Sequence, residues 1–202
     1  MFQDEARFDR MARIRRCRAP VPAQPVMHNG CERECTHVHG AVSPLEGDLD
    51  WMPFGRLRAE WLCSKMNTEE MGRFLAQVSA AHPGEFMLMV IDGASSHVAK
   101  ALAVPENIRP FDPFRPIRPI RPLPLRSGHP LHRLPPYAPE LNPQEPLWDE
   151  LREKELPNRV FGDMAGVVKQ LEEGLPRLAG DRARIKSICA GPWIIQLHLK
   201  TT

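Results

Sequence analysis

The chain has 202 residues, 42% of them hydrophobic. That is enough for one domain with a core of its own, so no staple of disulfides or metal is required. Lys and Arg number 27 against 25 Asp and Glu, a net charge of +2, which excludes the classes defined by an extreme bulk charge.

The first eight residues, MFQDEARF, have the composition of a short strand carrying Asp4 and Glu5, and an arginine-rich, then proline-rich, loop follows to Pro25. Cys35 to Ser43, CTHVHGAVS, alternates as a second strand, and GDLDWM after the turn signal SPLEG reads as a third, giving a hairpin or meander. Thr68 to Ala81 is predicted as a helix: Asn67 or Thr68 can cap it, Glu69 and Glu70 suit its first turn, and Met71, Phe74, Leu75 and Val78 recur at helical spacing. The run EFMLMVID is apolar from Phe86 to Ile91, the pattern of a central strand covered on both faces, and Asp92 ends it. This run is also the longest apolar stretch, far too short to span a bilayer.

Ser95 or Ser96 caps a short predicted helix through Leu102, and NIR opens a strand expected to resume at LHRLP. Between them lie the 21 residues Pro110 to Pro130, with a repeated Arg-Pro-Ile unit. Proline at that density opposes both helix and ladder, so 110–130 reads as an extended Pro/Arg-rich insertion. The last third is helical. Asn142 can cap a helix with Pro143 at its first position and Leu147, Trp148 and Leu151 as its stripe; Val167, Val168, Leu171 and Leu175 mark a second helix, Ile185 and Ile188 a third. Strands early and helices late, with one buried strand after a helix, make an α/β or α+β layer fold. Trp148 and Trp193 read as core.

Six arginines fall from Arg7 to Arg18 and six from Arg109 to Arg133, where Asp112 is the only acid. Each cluster is a candidate set of phosphate contacts or a solvated surface. The five cysteines, Cys17, Cys31, Cys35, Cys63 and Cys189, are odd in number without scaffold spacing, and no signal peptide precedes them. A reduced, cytoplasmic setting is expected.

Three acids stand where chemistry would want them: Asp4 in the first strand, Asp92 at the end of the buried strand, and Glu145 in the first turn of a helix. Carboxylates converging from strand ends and a helix start repel one another unless a hard cation lies between them, and Mg²⁺ or Mn²⁺ takes such oxygen ligands. The chemistry would be two-metal phosphoryl transfer. Each acid also has an ordinary reading: a solvated strand charge for Asp4, an Asp-Gly turn for Asp92, and the capping box Asn142-x-x-Glu145 for Glu145.

VIDGASSHVAK followed by LHRLPPYAPELNPQEPLW resembles the catalytic half of insertion-sequence transposases of the mariner-like superfamily, the DDE superfamily endonucleases. QDEARF, HGAVSPLEGDLDWM and ICAGPWI fit the same picture, so the likeness covers most of the chain outside the inserted segments. It implies a single RNase H-like (integrase/transposase) domain over 1–202, a central mixed sheet flanked by helices. It also implies Asp4, Asp92 and Glu145 as catalytic residues and metal ligands, with Mg²⁺ or Mn²⁺, two ions, as cofactor. Transposon-end and target DNA become the expected partners, in the cytoplasm at the nucleoid; a homodimer is compatible. The alternative is a non-catalytic remnant that keeps the fold and binds nucleic acid or a partner through its Arg/Pro-rich segments.

The chain departs from the family pattern. Asp92 and Glu145 are separated by 52 residues, against roughly thirty-odd in the family. Removing 110–130 leaves 31. PFGRLRAEW, Pro53 to Trp61, is further extra length, Pro146 would remove a helical hydrogen bond if Asn142 is the cap, and only three residues precede Asp4, so the helix-turn-helix module that such transposases carry ahead of the first aspartate is expected to be absent.

Other constellations compete. His28, Cys31, Cys35, His37 and His39 suggest zinc, but on a strand the alternate residues 35, 37 and 39 cannot all reach one ion, and no second Cys/His pair follows at finger spacing. RPIRPIRPLP suits a polyproline ligand or loose phosphate contact. His97 could orient substrate, support a metal or cap a helix.

Overall fold

The computed structural model describes residues 1–10, 16, 18–23, 26, 34–53, 68–91, 102–111 and 142–199. Strands β1 (Phe2–Asp9), β2 (Cys35–Ser43) and β3 (Asp48–Pro53) form an antiparallel meander. Helix α1 (Thr68–Ala81) follows, then β4 (Met87–Val90) and β5 (Ile108–Phe111), which run parallel to β1 in a five-stranded sheet of order β3-β2-β1-β4-β5. Helices α2 (Glu145–Glu155), α3 (Met164–Gly180), α4 (Arg182–Cys189) and α5 (Pro192–Leu199) complete the chain.

Strand alternation sorts the side chains into two cores. Ala6 and Phe8 of β1, Val38 and Val42 of β2 and Leu49 of β3 pack with Leu147, Trp148 and Leu151 of α2 and the inner faces of α3 and α4. On the reverse face Ala41, Met87, Met89, Ile91 and Ile108 pack against Met71, Phe74, Leu75 and Val78 of α1. Each fully buried Leu, Phe or Met here contributes about 1.5–3 kcal/mol relative to its exposed state. The side chain of Asp163 caps α3 through the amide of Gly166, at 2.9 Å.

Several expectations need correction. Among the described residues the buried strand is covered on one face: Met87 and Met89 are inside, whereas Leu88 is 47% and Phe86 63% exposed. Pro110 lies within β5, inside the stretch expected to exclude strand; β5 is at the edge of the described sheet, where a missing ladder donor is tolerated. ICAGPWI ends in an unpredicted helix, α5, and Trp193 is half-buried, its ring edge-on to Phe2 at 5.9 Å. The expected helix after Ser95, the remainder of the insertion, the resumed strand at LHRLP and PFGRLRAEW lie outside the described residues. No helix among the described residues is long and apolar enough to cross a membrane.

What brings α2 onto the sheet is a glycine. A Cβ on Gly40 would sit 2.5 Å from the Trp148 ring and 2.6 Å from Gln144 Nε2. Only a residue without a side chain lets the helix seat at this depth. Gly40→Ala is expected to lower stability by about 1–3 kcal/mol through overpacking. Urea unfolding followed by tryptophan fluorescence reads this as a lower midpoint at unchanged slope; an unchanged midpoint would mean that α2 is not held at this distance.

Candidate active site

Asp4 lies on the α2 side of β1, by alternation with Ala6 and Phe8. Its cross-strand partner is Gly40. The side chain is half-buried, and Trp148 Nε1 donates to its Oδ2 at 3.2 Å. Burial pushes its carboxyl up to about 7, helped by the negative charges of Glu145 and then Glu5; hydrogen bonds from the Glu5 backbone and the Trp148 indole act in the opposite sense. Asp4 and Glu145, 141 positions apart in sequence, therefore share one electrostatic environment.

Glu145 is the first residue of α2, with Gln144 at the N-cap. This corrects the expected start at Pro143. Asn142 does not cap the helix; it closes the preceding turn, its Oδ1 accepting from Gln144 N at 3.1 Å and its carbonyl from Glu145 N at 3.2 Å. The first helical bonds come from Leu147 and Trp148 to the Gln144 carbonyl, at 3.1 and 3.2 Å. Pro146 then sits in the first turn, where its missing N–H costs no helical bond. The turn is tied down from α4: Cys189 Sγ lies 3.1 Å from the Pro143 carbonyl, and burial raises this thiol to about 12, so it stays a donor.

Asp92 and His97 lie outside the described residues; Ile91, the residue before Asp92, is buried. Among the described residues no group of three or more His, Cys, Asp or Glu could hold a metal. Of the suggested zinc set, His28 and Cys31 are likewise outside. Cys35 is disulfide-bonded, against the expectation of reduced cysteines, while Cys189 is free. His39 is buried on the α1 face, stacked on Phe74 at 5.2 Å, with Nδ1 3.2 Å from Glu5. His37 is half-buried, and burial lowers its pKa. The first arginine cluster also divides. Arg7 pairs with Asp9, and Arg10 pairs with Glu34 at 2.8 Å while donating to the carbonyls of Phe161 and Gly162. Arg10 is thus a strut between β1 and the loop before α3, not a free phosphate contact.

Sequence reasoning missed Gly40 and Gln144 and took Trp148 only for core. A glycine inside a strand of bulky residues was the available signal, since it marks a close approach by another element.

Residues 1–166 match a family described as DDE superfamily endonuclease. The uncharacterized protein y4pE/y4sA of Sinorhizobium fredii (strain NBRC 101917 / NGR234) is 28% identical over 158 residues, 78% of this chain and 95% of that protein. Among solved structures, the Mos1 transposase paired-end complex with left transposon end superposes with a TM-score of 0.52 at 15% identity, over 92% of this chain and 54% of that one. A pre-cleavage Mos1 transpososome gives 0.52 at 14% identity, with the same coverage of 92% and 54%. The chain thus spans about half the length of these solved relatives, and the likeness establishes the fold, the RNase H-like mixed sheet with flanking helices.

The position of Asp4 has a measurable consequence. Its folded-state pKa of about 7 exceeds the ordinary 3.8, so between those values the folded protein keeps a proton that the unfolded chain has released. The resulting stabilisation is complete below about pH 4 and lost as pH rises through about 7. In chelator, Asp4→Asn is expected to melt close to wild type near pH 4.5 and above it at pH 8. Scanning calorimetry across that range checks this; a difference independent of pH would contradict the raised pKa.

Proposed function

The chain belongs to the DDE superfamily endonucleases, and on that premise we propose that it is the catalytic domain of a mariner-like insertion-sequence transposase, cutting DNA strands and joining the freed 3′ hydroxyl to target DNA. The observation that carries the reading is the convergence of Asp4 and Glu145. A half-buried carboxyl whose pKa rises to about 7, in part through the charge of a second carboxylate, is a costly arrangement without a cation and a natural one with it. Asp92 supplies the third ligand. The parallel register Phe2↔Val90 supports its inclusion, since Asp4 follows Phe2 by two residues and Asp92 follows Val90 by two in the sequence.

The donor set is oxygen only, which suits Mg²⁺ or Mn²⁺. When bound, two such ions supply activation of the attacking hydroxyl and neutralisation of the leaving oxygen. The chain's own contributions are positional. Trp148 holds one oxygen of Asp4 and shields that carboxylate from bulk water, and the Asn142 turn aims Glu145 from the start of a rigid helix. The start of α2 also presents the positive end of its dipole, favourable for a phosphate backbone. DNA as partner is supported by the solved relatives, which include a complex with a left transposon end; Arg16 and Arg18, both exposed, are described basic groups that could serve it, and the cluster from Arg109 to Arg133 is a further candidate by sequence. Such contacts would make binding steeply salt-dependent.

With Mn²⁺ and a labelled duplex, the purified protein is expected to nick DNA. Asp92→Ala and Glu145→Gln should each lower the rate by about 100-fold or more, since even outer-shell partners of a metal cost 10–100-fold when removed. A folded protein that retains DNA on a gel but never cuts it would displace this reading in favour of a remnant that only binds nucleic acid.

A further inference from the structure

Gln144 immediately precedes Glu145 and is 0% exposed. Among the described residues, neither its Oε1 nor its Nε2 has a hydrogen-bond partner. A primary amide buried in this way is rare, because the bonds it gave up to water are not replaced. Its backbone is occupied: the N–H donates to Asn142 Oδ1, and the carbonyl accepts from Leu147 and Trp148. The side chain forms no cap bond to the helix it precedes, so capping does not explain it.

Gly40 shows where the amide points. Nε2 lies 2.6 Å from the place a Cβ on Gly40 would occupy, beside the Trp148 ring. Gly40 is directly opposite Asp4. Cβ positions of directly opposed residues are about 4.5–5.5 Å apart, so the amide stands within one side chain's reach of the Asp4 carboxylate. Trp148, packed into the same slot, already donates to that carboxylate.

We infer that Gln144 is a positioning residue of the divalent-cation site, its buried amide supplying a donor and an acceptor to the loaded carboxylate pair and to the water around the ion; the inference rests on the metal reading above. The metal-free fold gains nothing from this amide. An unbranched apolar side chain of the same length would fill the slot without stranding polar atoms. Only the loaded state uses the polarity.

Gln144→Met separates these roles. In chelator the variant is expected to melt about 2–4 °C above wild type, as relief of a buried unsatisfied group of ordinary size would give in a chain of this length. Its Mn²⁺ affinity, read from the paramagnetic resonance signal of free Mn²⁺ in a titration to millimolar concentration, is expected to fall about 10–100-fold. A variant that melts lower than wild type or fails to fold overturns the inference, because the amide then serves the fold. Equal Mn²⁺ affinity in the two proteins overturns it as well, with the metal reading left standing. Wild-type protein that takes up no Mn²⁺ removes the metal reading, and this inference with it.

Discussion

The seat of α2 on the sheet is the constraint from which the rest of the site follows. Asp4 and Trp148 meet across 144 positions of sequence, and they meet only because β2 offers no side chain at Gly40. Once the indole occupies that slot, the helix can neither rotate nor withdraw without losing a fully buried tryptophan, the edge-on contact of its ring with Phe8 at 6.2 Å, and a hydrogen bond to a half-buried carboxylate. Glu145 stands three residues before Trp148, nearly one turn away and on the same flank. Fixing the tryptophan therefore fixes the glutamate. Packing and the placement of charge are here a single event.

That event is expensive in the metal-free protein. Desolvation and the neighbouring charges of Glu145 and Glu5 work against the ionised form of Asp4, and Gln144 adds a buried amide without partners. The supporting structure offsets these costs with apolar contact around them: Leu147 and Leu151 on α2, Val167, Leu171 and Leu175 on α3, and Ile185 on α4 are buried in the same core. The core keeps the two carboxylates from moving apart. Cys189 extends the same logic to the turn, since its thiol restrains the Pro143 carbonyl two residues before the glutamate.

β2 and α1 were legible because their periodicities are strong and short-range, and they have the bounds predicted for them, while β1 was legible from composition and β4 from an unbroken apolar run. Where sequence reasoning erred, two local rules competed. Asn142 can cap a helix or close an Asx turn with the same oxygen, and the prolines at 143 and 146 each fit a first helical turn; the turn won, and the helix begins at Glu145. Pro110 was taken to exclude strand, but a parallel strand at the edge of the described sheet tolerates it. Leu88 and Phe86 read as buried because apolar runs do not say whether a second layer covers the far face. The cluster holding Arg10 read as phosphate contacts or a solvated surface because nothing local indicates a partner 151 positions away. Of the candidate site, Asp4 and Glu145 were singled out through resemblance, as was Asp92 outside the described residues, whereas Gly40, Gln144 and the indole donor depend on a tertiary contact that no local pattern encodes.

Asp4 and Glu5 are adjacent acids in one strand, so a slip of one residue between β1 and β2 would exchange them across the sheet. Both faces oppose that slip. On the α2 side Ala6 and Phe8 must enter the apolar core, and the alternative register would send Arg7 there. On the α1 side Glu5 is only 5% exposed, lies 3.2 Å from His39, its direct cross-strand partner, and accepts from Gln3 at 3.0 Å. A buried acid with partners on one face is stable there and would be stranded on the other. The polar set Gln3, Glu5 and His39 thus acts on the site from behind: it touches neither Glu145 nor α2 in any described contact, yet it specifies which of two neighbouring carboxylates faces them.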